Sequence, residues 1–187
     1  MSCTRSENRA REIARNIMEM VDKERGVTNN LVEEFCYQMC SMEEQNIFAG
    51  VYAVDEIPVD MLKRRRTFNV IVNLASRSQG ETEGHFVIIT AHPRTIVYID
   101  PFGAPNLKSQ ISYFLRACRR PTMYNRTALQ SYSSPFCGMY AALYATYFNN
   151  PDGRKIRLKW EKKNLRRNDH LCMKYLNELV NEIYDNA

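Results

Sequence analysis

Ser133-Ser134-Pro135-Phe136-Cys137-Gly138-Met139-Tyr140-Ala141-Ala142 is the stretch whose reading decides the fold. It joins a polar, proline-containing loop to the segment Gly138 to Phe148, which carries no charged residue. A segment apolar nearly all round predicts a buried central helix, and Cys137 stands at its start. The positive end of a helix dipole and the unpaired N–H groups of a first turn favour thiolate over thiol. Gln130, seven positions before Cys137, offers an amide donor to an oxyanion.

A histidine and a carboxylate complete the set. Gly84-His85 leads into the apolar run Phe86 to Ala91, and a second run, Thr95 to Ile99, stops at Asp100-Pro101-Phe102-Gly103. The intervening His92-Pro93-Arg94 is short enough for a hairpin turn. Counted outward from Pro93, His85 lies eight residues back and Asp100 seven on. Antiparallel pairing then sets them opposite each other or one residue off, at the open end of the hairpin. A carboxylate there fixes the imidazole tautomer and stabilises the imidazolium. Singly, each residue has a plainer reading: core cysteine, structural histidine, turn aspartate, and a glutamine that signals almost nothing by itself. The joint pattern His85, Asp100, Gln130, Cys137 points to thiol-dependent acyl transfer.

Four blocks carry a resemblance to a known family. They are Phe48-Ala49-Gly50-Val51-Tyr52; Ile71-Val72-Asn73-Leu74-Ala75 with Gly84-His85-Phe86; Tyr98-Ile99-Asp100-Pro101-Phe102-Gly103; and Gln130 through Gly138. In this order the chain resembles the adenain-like cysteine proteases of adenoviruses and, more distantly, the SUMO-processing proteases. The resemblance implies an α+β fold of the papain-like type in permuted order. Its mixed or antiparallel sheet is flanked by helices, and its buried central helix starts at the nucleophile. It implies His85, Asp100, Gln130 and Cys137 as the catalytic set. Phe86 stands where the family usually has Trp and keeps an aromatic wall; Asp100 stands where adenoviral members mostly carry Glu. The loop Ser76 to Glu83 is longer than the family suggests and is placed to shape a substrate lip.

At 187 residues the chain fits one domain. Arg5, Glu7, Arg9, Arg11 and Glu12 make the N-terminus unlike a secretory leader, and no apolar stretch is long enough to span a bilayer. Six cysteines without a framework spacing suggest free thiols in a reducing compartment. Cys36 and Cys40 are one helical turn apart, but no further ligands lie near them at zinc spacing, so burial is favoured and no metal is expected.

Residues 1–46 read as a helical extension packed on a protease domain of residues 47–187. An amphipathic helix is expected over residues 4–25, and a second is capped by Thr28. A strand over residues 67–74, the hairpin, a helix over 107–118, the central helix and a final helix from Asn168 follow. No repeat is visible.

The charge of +5 is uneven, and the densest basic run, Arg154 to Arg167, is opposed only by Glu161. Such a run is a solvated surface, a phosphate-binding face or a nuclear-localisation signal. The family resemblance implies DNA as a cofactor, held through Lys159, Lys162, Lys163, Arg166 and Arg167. It also implies an activating peptide that forms a disulfide with the enzyme, for which Cys118 is the nearest candidate. The chemistry itself requires no cofactor. The expectation is a monomeric thiol endopeptidase of a DNA virus or virus-like element, acting in the host nucleus and virion. It cleaves capsid or core precursors at Gly-containing sites and has no membrane partner. The alternatives are a SUMO-type isopeptidase and a non-enzymatic basic DNA-binding scaffold.

Overall fold

A computed structural model describes residues 27–40, 47–61, 66–79, 84–106, 108–149 and 157–185, with Glu12, Arg15 and Asn16 besides. The helix expected over residues 4–25 lies outside the described residues apart from those three. The elements are α1 (Asn29–Cys40), β1 (Phe48–Ala53), β2 (Phe68–Asn73), β3 (Phe86–Ala91), β4 (Ile96–Ile99), α2 (Ser109–Ala117), β5 (Thr122–Tyr124), α3 (Cys137–Asn149) and α4 (Leu165–Asp185), with a 3-10 turn at Arg77–Gln79. The class is α+β.

The five strands form one sheet in the order β1-β2-β3-β4-β5. β2, β3 and β4 are antiparallel neighbours, while β1 joins β2 and β5 joins β4 in parallel. Both faces are covered. Ile71, Phe86, Ile88 and Ile99 pack with α1, α3 and α4, while Val70, Val72, Val87, Ile89, Ala91 and Ile96 pack with Ile111, Phe114 and Leu115 of α2. That is why β3 reads as a continuous apolar run rather than an alternating one: its side chains alternate between two cores.

Polar residues in these cores each tie elements together. Asn69 donates from Nδ2 to the Ala145 carbonyl of α3 at 3.0 Å, binding strand to central helix. Asn149 accepts the Ile47 N–H at 2.8 Å and donates to the Cys40 carbonyl at 3.3 Å, joining the end of α3 to the end of α1 and the start of β1. Thr28 caps α1 through its Oγ1 on the Leu31 N–H at 3.2 Å. α1 places Val32, Phe35, Cys36, Met39 and Cys40 in the same core as the central helix. Cys36 and Cys40 are fully buried there. Gly138 permits this packing, since a Cβ on it would come within 2.2 Å of Val27 Cγ2.

β5 has no counterpart among the sequence expectations. It is three residues long, with Met123 and Tyr124 exposed, and so lacks an alternating pattern to detect. Among the described residues, no helix is long and apolar enough to cross a membrane.

The chain turns into β3 at Gly84, whose φ is +129°. A Cβ there would sit 1.9 Å from Asn73 Oδ1, and that oxygen is held by the Ala75 N–H at 3.0 Å. Backbone strain and a collision with a buried, engaged amide therefore coincide. Gly84→Ala is expected to cost on the order of 2–3 kcal/mol and to lower Tm by roughly 4–12 °C. An unchanged Tm in differential scanning calorimetry would contradict the packing described.

Candidate active site

His85 lies one residue before β3, and its carbonyl accepts the Leu74 N–H at 2.8 Å. Asp100 lies one residue after β4. The pairing is Ile88 with Ile99 and Ile89 with Tyr98, so in register Asp100 falls opposite Val87 and His85 opposite Phe102. This corrects the turn-counted expectation of a directly opposed or one-off pair. The hairpin closes through the His92 N–H on the Thr95 carbonyl at 2.8 Å, which centres the turn between Pro93 and Arg94 rather than on Pro93. The resulting offset is two residues, and a two-residue offset preserves the face. Long side chains bridge such diagonals. Here His85 Nε2 meets Asp100 Oδ1 at 2.6 Å.

Asp100 is held from all sides. Asn125 brackets its backbone, accepting the Asp100 N–H at 2.8 Å and donating to the Asp100 carbonyl at 2.6 Å. The Phe102 N–H donates to Asp100 Oδ1 at 2.7 Å. With its carboxylate almost fully buried and so oriented, Asp100 fixes the tautomer of His85 with the proton on Nε2. Nδ1 is left as the basic nitrogen. It is buried and makes no well-aligned hydrogen bond, and the Cys137 thiol is the group within its reach. Catalytic contacts are commonly loose before substrate binds.

Burial by itself pushes the His85 pKa down. The hydrogen bond to Asp100, the nearness of the Cys137 thiol and the charges of both outweigh it and raise the pKa from 6.5 to about 9. An imidazolium at neutral pH is the partner that a thiolate needs. A further contribution comes from Phe102, whose ring stacks on the imidazole with centroids 4.3 Å apart and planes 13° apart. Tyr132, three-quarters exposed, stacks in turn on Phe102 at 5.3 Å. A ring face over an imidazolium is attractive.

Cys137 is the first residue of α3 and is partly exposed, and its N–H is among those with no intrahelical acceptor. Gln130 is fully buried, and its Nε2 donates to the Ser134 carbonyl at 2.6 Å and lies 3.2 Å from Ser134 Oγ. The N–H groups of Leu129 and Gln130 both donate to the Pro101 carbonyl, at 2.7 and 3.0 Å, so the glutamine loop is pinned to the acid turn. Gly103, with φ +65°, allows that approach: a Cβ there would come within 2.6 Å of the 127–128 backbone.

The structure thus brings His85, Asp100 and Cys137 together and sets Gln130 on the loop that leads into the nucleophile. Phe86 does not line the cleft as expected; it is 2% exposed and packs beside Gly138. The aromatic surface beside the imidazole belongs to Phe102 and Tyr132. Asn125 and this aromatic pair were not singled out from sequence. Only an Asn positioned by the unforeseen β5 would have signalled the first.

Lys159, Lys162, Lys163, Arg166 and Arg167 are exposed on the segment entering α4 and on its first turn. Arg167 reaches Glu161 at 3.8 Å. Cys118 is a buried free thiol just past α2, and burial raises its pKa to about 11 even though Arg120 lowers it. Among the described residues, no group of three or more His, Cys, Asp or Glu could hold a metal ion.

No family model matches the chain, and no curated protein matches it. Among solved structures, the chain is similar to a deletion variant of AvrA with IP6 and CoA. The TM-score is 0.45 and the identity 11%, over 79% of this chain. The chain spans 60% of the length of that neighbour. At this distance the likeness assigns no activity, and the adenain-like resemblance rests on its sequence blocks alone.

The raised His85 pKa has a testable sign. Chemistry that depends on the imidazolium is present below pH 9 and lost as pH rises through about 9. Asp100→Asn removes the main interaction that raises the value, so the alkaline limb of Cys137 alkylation by iodoacetate, whose carboxylate the imidazolium attracts, should move down toward 6.5. An alkaline limb that stays near 9 in Asp100→Asn would contradict the assignment.

Proposed function

We propose that this chain is a cysteine endopeptidase. The observation that carries the reading is the His85 imidazole held by Asp100 on one nitrogen, with its other nitrogen turned to Cys137 at the start of a buried helix. In this mechanism the Cys137 thiolate attacks the scissile carbonyl and His85 protonates the leaving amine from Nδ1. His85 then takes a proton from water as it attacks the thioester, which regenerates the thiolate. Asp100 keeps the ring oriented throughout. The Cys137 N–H and the Gln130 amide stabilise the tetrahedral oxyanion, a contribution of about 3–4 kcal/mol per donor in other proteases.

The finer reading is supported by the four sequence blocks: a viral or virus-like maturation protease that acts in the host nucleus and virion on capsid or core precursors. Its substrates carry a small residue, Gly above all, immediately before the scissile bond. Phe102 and Tyr132 supply an aromatic surface beside the imidazole. A SUMO-type isopeptidase uses the same four roles, and Asp100 favours it mildly.

Cys137→Ala is expected to abolish cleavage of Gly-containing precursor peptides while leaving the circular dichroism spectrum unchanged. A profile that tolerates Leu or Phe before the scissile bond as readily as Gly would refute the specificity. Turnover of SUMO-type fusions but not of peptides would select the isopeptidase. Full activity in Cys137→Ala would overturn Cys137 as the nucleophile, and no cleavage by the wild type would leave the basic scaffold.

Double-stranded DNA is proposed as a partner of the exposed basic segment. Binding should be independent of sequence and should weaken with salt, with a log–log slope near −0.9 per phosphate neutralised. Reversal of Lys162, Lys163, Arg166 and Arg167 to Glu should weaken all sequences alike. Fluorescence anisotropy that shows no binding at low salt would return this segment to a solvated surface.

A further inference from the structure

The stretch from Pro101 to Pro151 contains no Asp or Glu, yet it carries Lys108, Arg116, Arg119, Arg120 and Arg126. The four arginines border one groove, with α2 as one wall and β5 and its flanking residues as the other. Arg116, Arg119 and Arg120 line a cleft of about 480 Å³ together with Thr122. Arg126 lines a second cleft, of about 440 Å³, that reaches Gly103 of the acid turn. Ser112 and Tyr124 border both, so the two clefts are neighbours along the groove.

The plain reading is a capped helix end on a solvated surface. Arg116 lies in the last turn of α2, and Arg119 and Arg120 follow it, where cations complement the helix dipole. That dipole amounts to roughly half an elementary charge, against three cations. Arg126 lies on the other wall and owes nothing to it. Carboxylates do not neutralise the group either: among the described residues no ion pair joins any of the four arginines to an acid. Asp55, which with Arg116 borders a separate cleft, accepts the Arg77 N–H at 3.0 Å.

Two of the arginines are also held in ways that serve their charge. Arg120 Nη1 donates to the Arg66 and His92 carbonyls at 2.6 and 2.7 Å, neutral acceptors that orient the guanidinium and leave its charge uncompensated. Arg119 closes α2 with a φ of +52°, its N–H on the Arg116 carbonyl at 3.1 Å. Glycine is the ordinary residue at such a left-handed helix end, and the chain keeps an exposed guanidinium there instead. The planar fork of arginine matches phosphate oxygens two at a time. Ser112 adds a hydroxyl donor: its Oγ accepts from Asn106 Nδ2 at 3.0 Å, so its own hydrogen remains to give. Cations gathered without an anion repel one another, and a multiply charged ligand relieves those repulsions together.

We propose that the α2–β5 groove binds a ligand bearing two or more closely spaced phosphate groups, held by Arg116, Arg119, Arg120 and Arg126. The site is separate from the thiol chemistry. It is separate too from the basic segment entering α4, since α4 and α2 pack into different cores on opposite faces of the sheet.

Inorganic tripolyphosphate is the probe, titrated into the full chain by isothermal calorimetry at physiological salt. One equivalent is expected to bind with a Kd below about 100 μM. Arg119→Gly is the decisive variant, because glycine suits the backbone there: Tm should not fall, while Kd weakens about tenfold or more. Arg126→Gln, on the opposite wall, should weaken Kd about fivefold or more and lies outside α2 should Arg119→Gly lower Tm. Reversal of Lys162, Lys163, Arg166 and Arg167 to Glu should change Kd less than about twofold. A tetraglutamate peptide, of comparable charge but without phosphate geometry, should bind about tenfold more weakly or worse.

A Kd weaker than about 1 mM, equal affinity for tetraglutamate, indifference to both Arg119→Gly and Arg126→Gln, or a loss confined to the α4 reversals would each overturn the proposal. The source of the phosphates is read in the α4-reversed variant, where the groove acts alone. Displacement of tripolyphosphate by a short DNA duplex supports the site with a nucleic-acid backbone as its ligand; binding without displacement supports it with a free polyphosphate.

Discussion

The carbonyl of Pro101 accepts both the Leu129 and the Gln130 N–H groups. This bifurcated contact couples a hairpin to a loop that begins nearly thirty residues later in the chain, and the site depends on it. On one side Pro101 follows Asp100, the acid that orients the imidazole. On the other, Gln130 opens the loop that ends at Cys137. The Asp100 carboxylate, His85 imidazole, Gln130 amide and Cys137 thiol sit on three separate segments, and none of these segments forms the geometry alone. The contact is close enough to exclude a side chain between the segments, which is why Gly103 faces the 127–128 backbone. A larger residue at that glycine would move Gln130 relative to the imidazole.

The electrostatics depend on how little water reaches the pair. A buried histidine is ordinarily driven neutral. His85 escapes this because Asp100 is itself buried and fully oriented by Asn125 and the Phe102 N–H, so its charge acts on the ring with little screening. The donors around Asp100 are side chain and backbone groups of the acid turn and of the residues following β5. They were in place before any substrate arrives, and the pair needs no reorganisation when charge develops. Phe102 adds a dry face over the ring, which protects the His85–Asp100 bond from competing water.

Much of this was legible in the sequence, and the parts that were not have physical reasons. β3 and β4 announced themselves because both faces of the sheet are covered, giving unbroken apolar runs. α3 did so because it is buried nearly all round. The partnership of His85 with Asp100 follows from hairpin counting, although the turn is centred between Pro93 and Arg94 and the pair is diagonal rather than opposed. Parity rescued the inference, since an offset of two keeps both side chains on one face. Phe86 was misread as a cleft wall because adjacency to His85 was taken for proximity; neighbours in a strand point to opposite faces. Asn125 and Asp169 are invisible in the sequence because their contacts are long-range hydrogen bonds, and no local pattern marks them.

The first turns of α4 show how one short stretch can serve two demands. Arg166 and Arg167 are exposed, while Asn168 and Asp169, the next two residues, are buried against the glutamine loop. Successive residues of a helix point about 100° apart, so a helix half covered by a loop turns from solvent to interior within two positions. The cations contribute to a basic surface, and behind them Asn168 satisfies the Leu129 carbonyl while Asp169 accepts the Tyr140 hydroxyl. Trp160 secures the approach to this turn: its Nε1 donates to the Tyr144 hydroxyl at 2.9 Å, and its ring packs on Tyr140 and Tyr175. The same Tyr140 donates toward Asp169. The basic segment is therefore fastened to α3 by an aromatic cluster whose polar ends reach the loop before Cys137. Charge on the outer surface and geometry at the nucleophile are carried by adjacent residues but by different interactions, so each can be altered without the other.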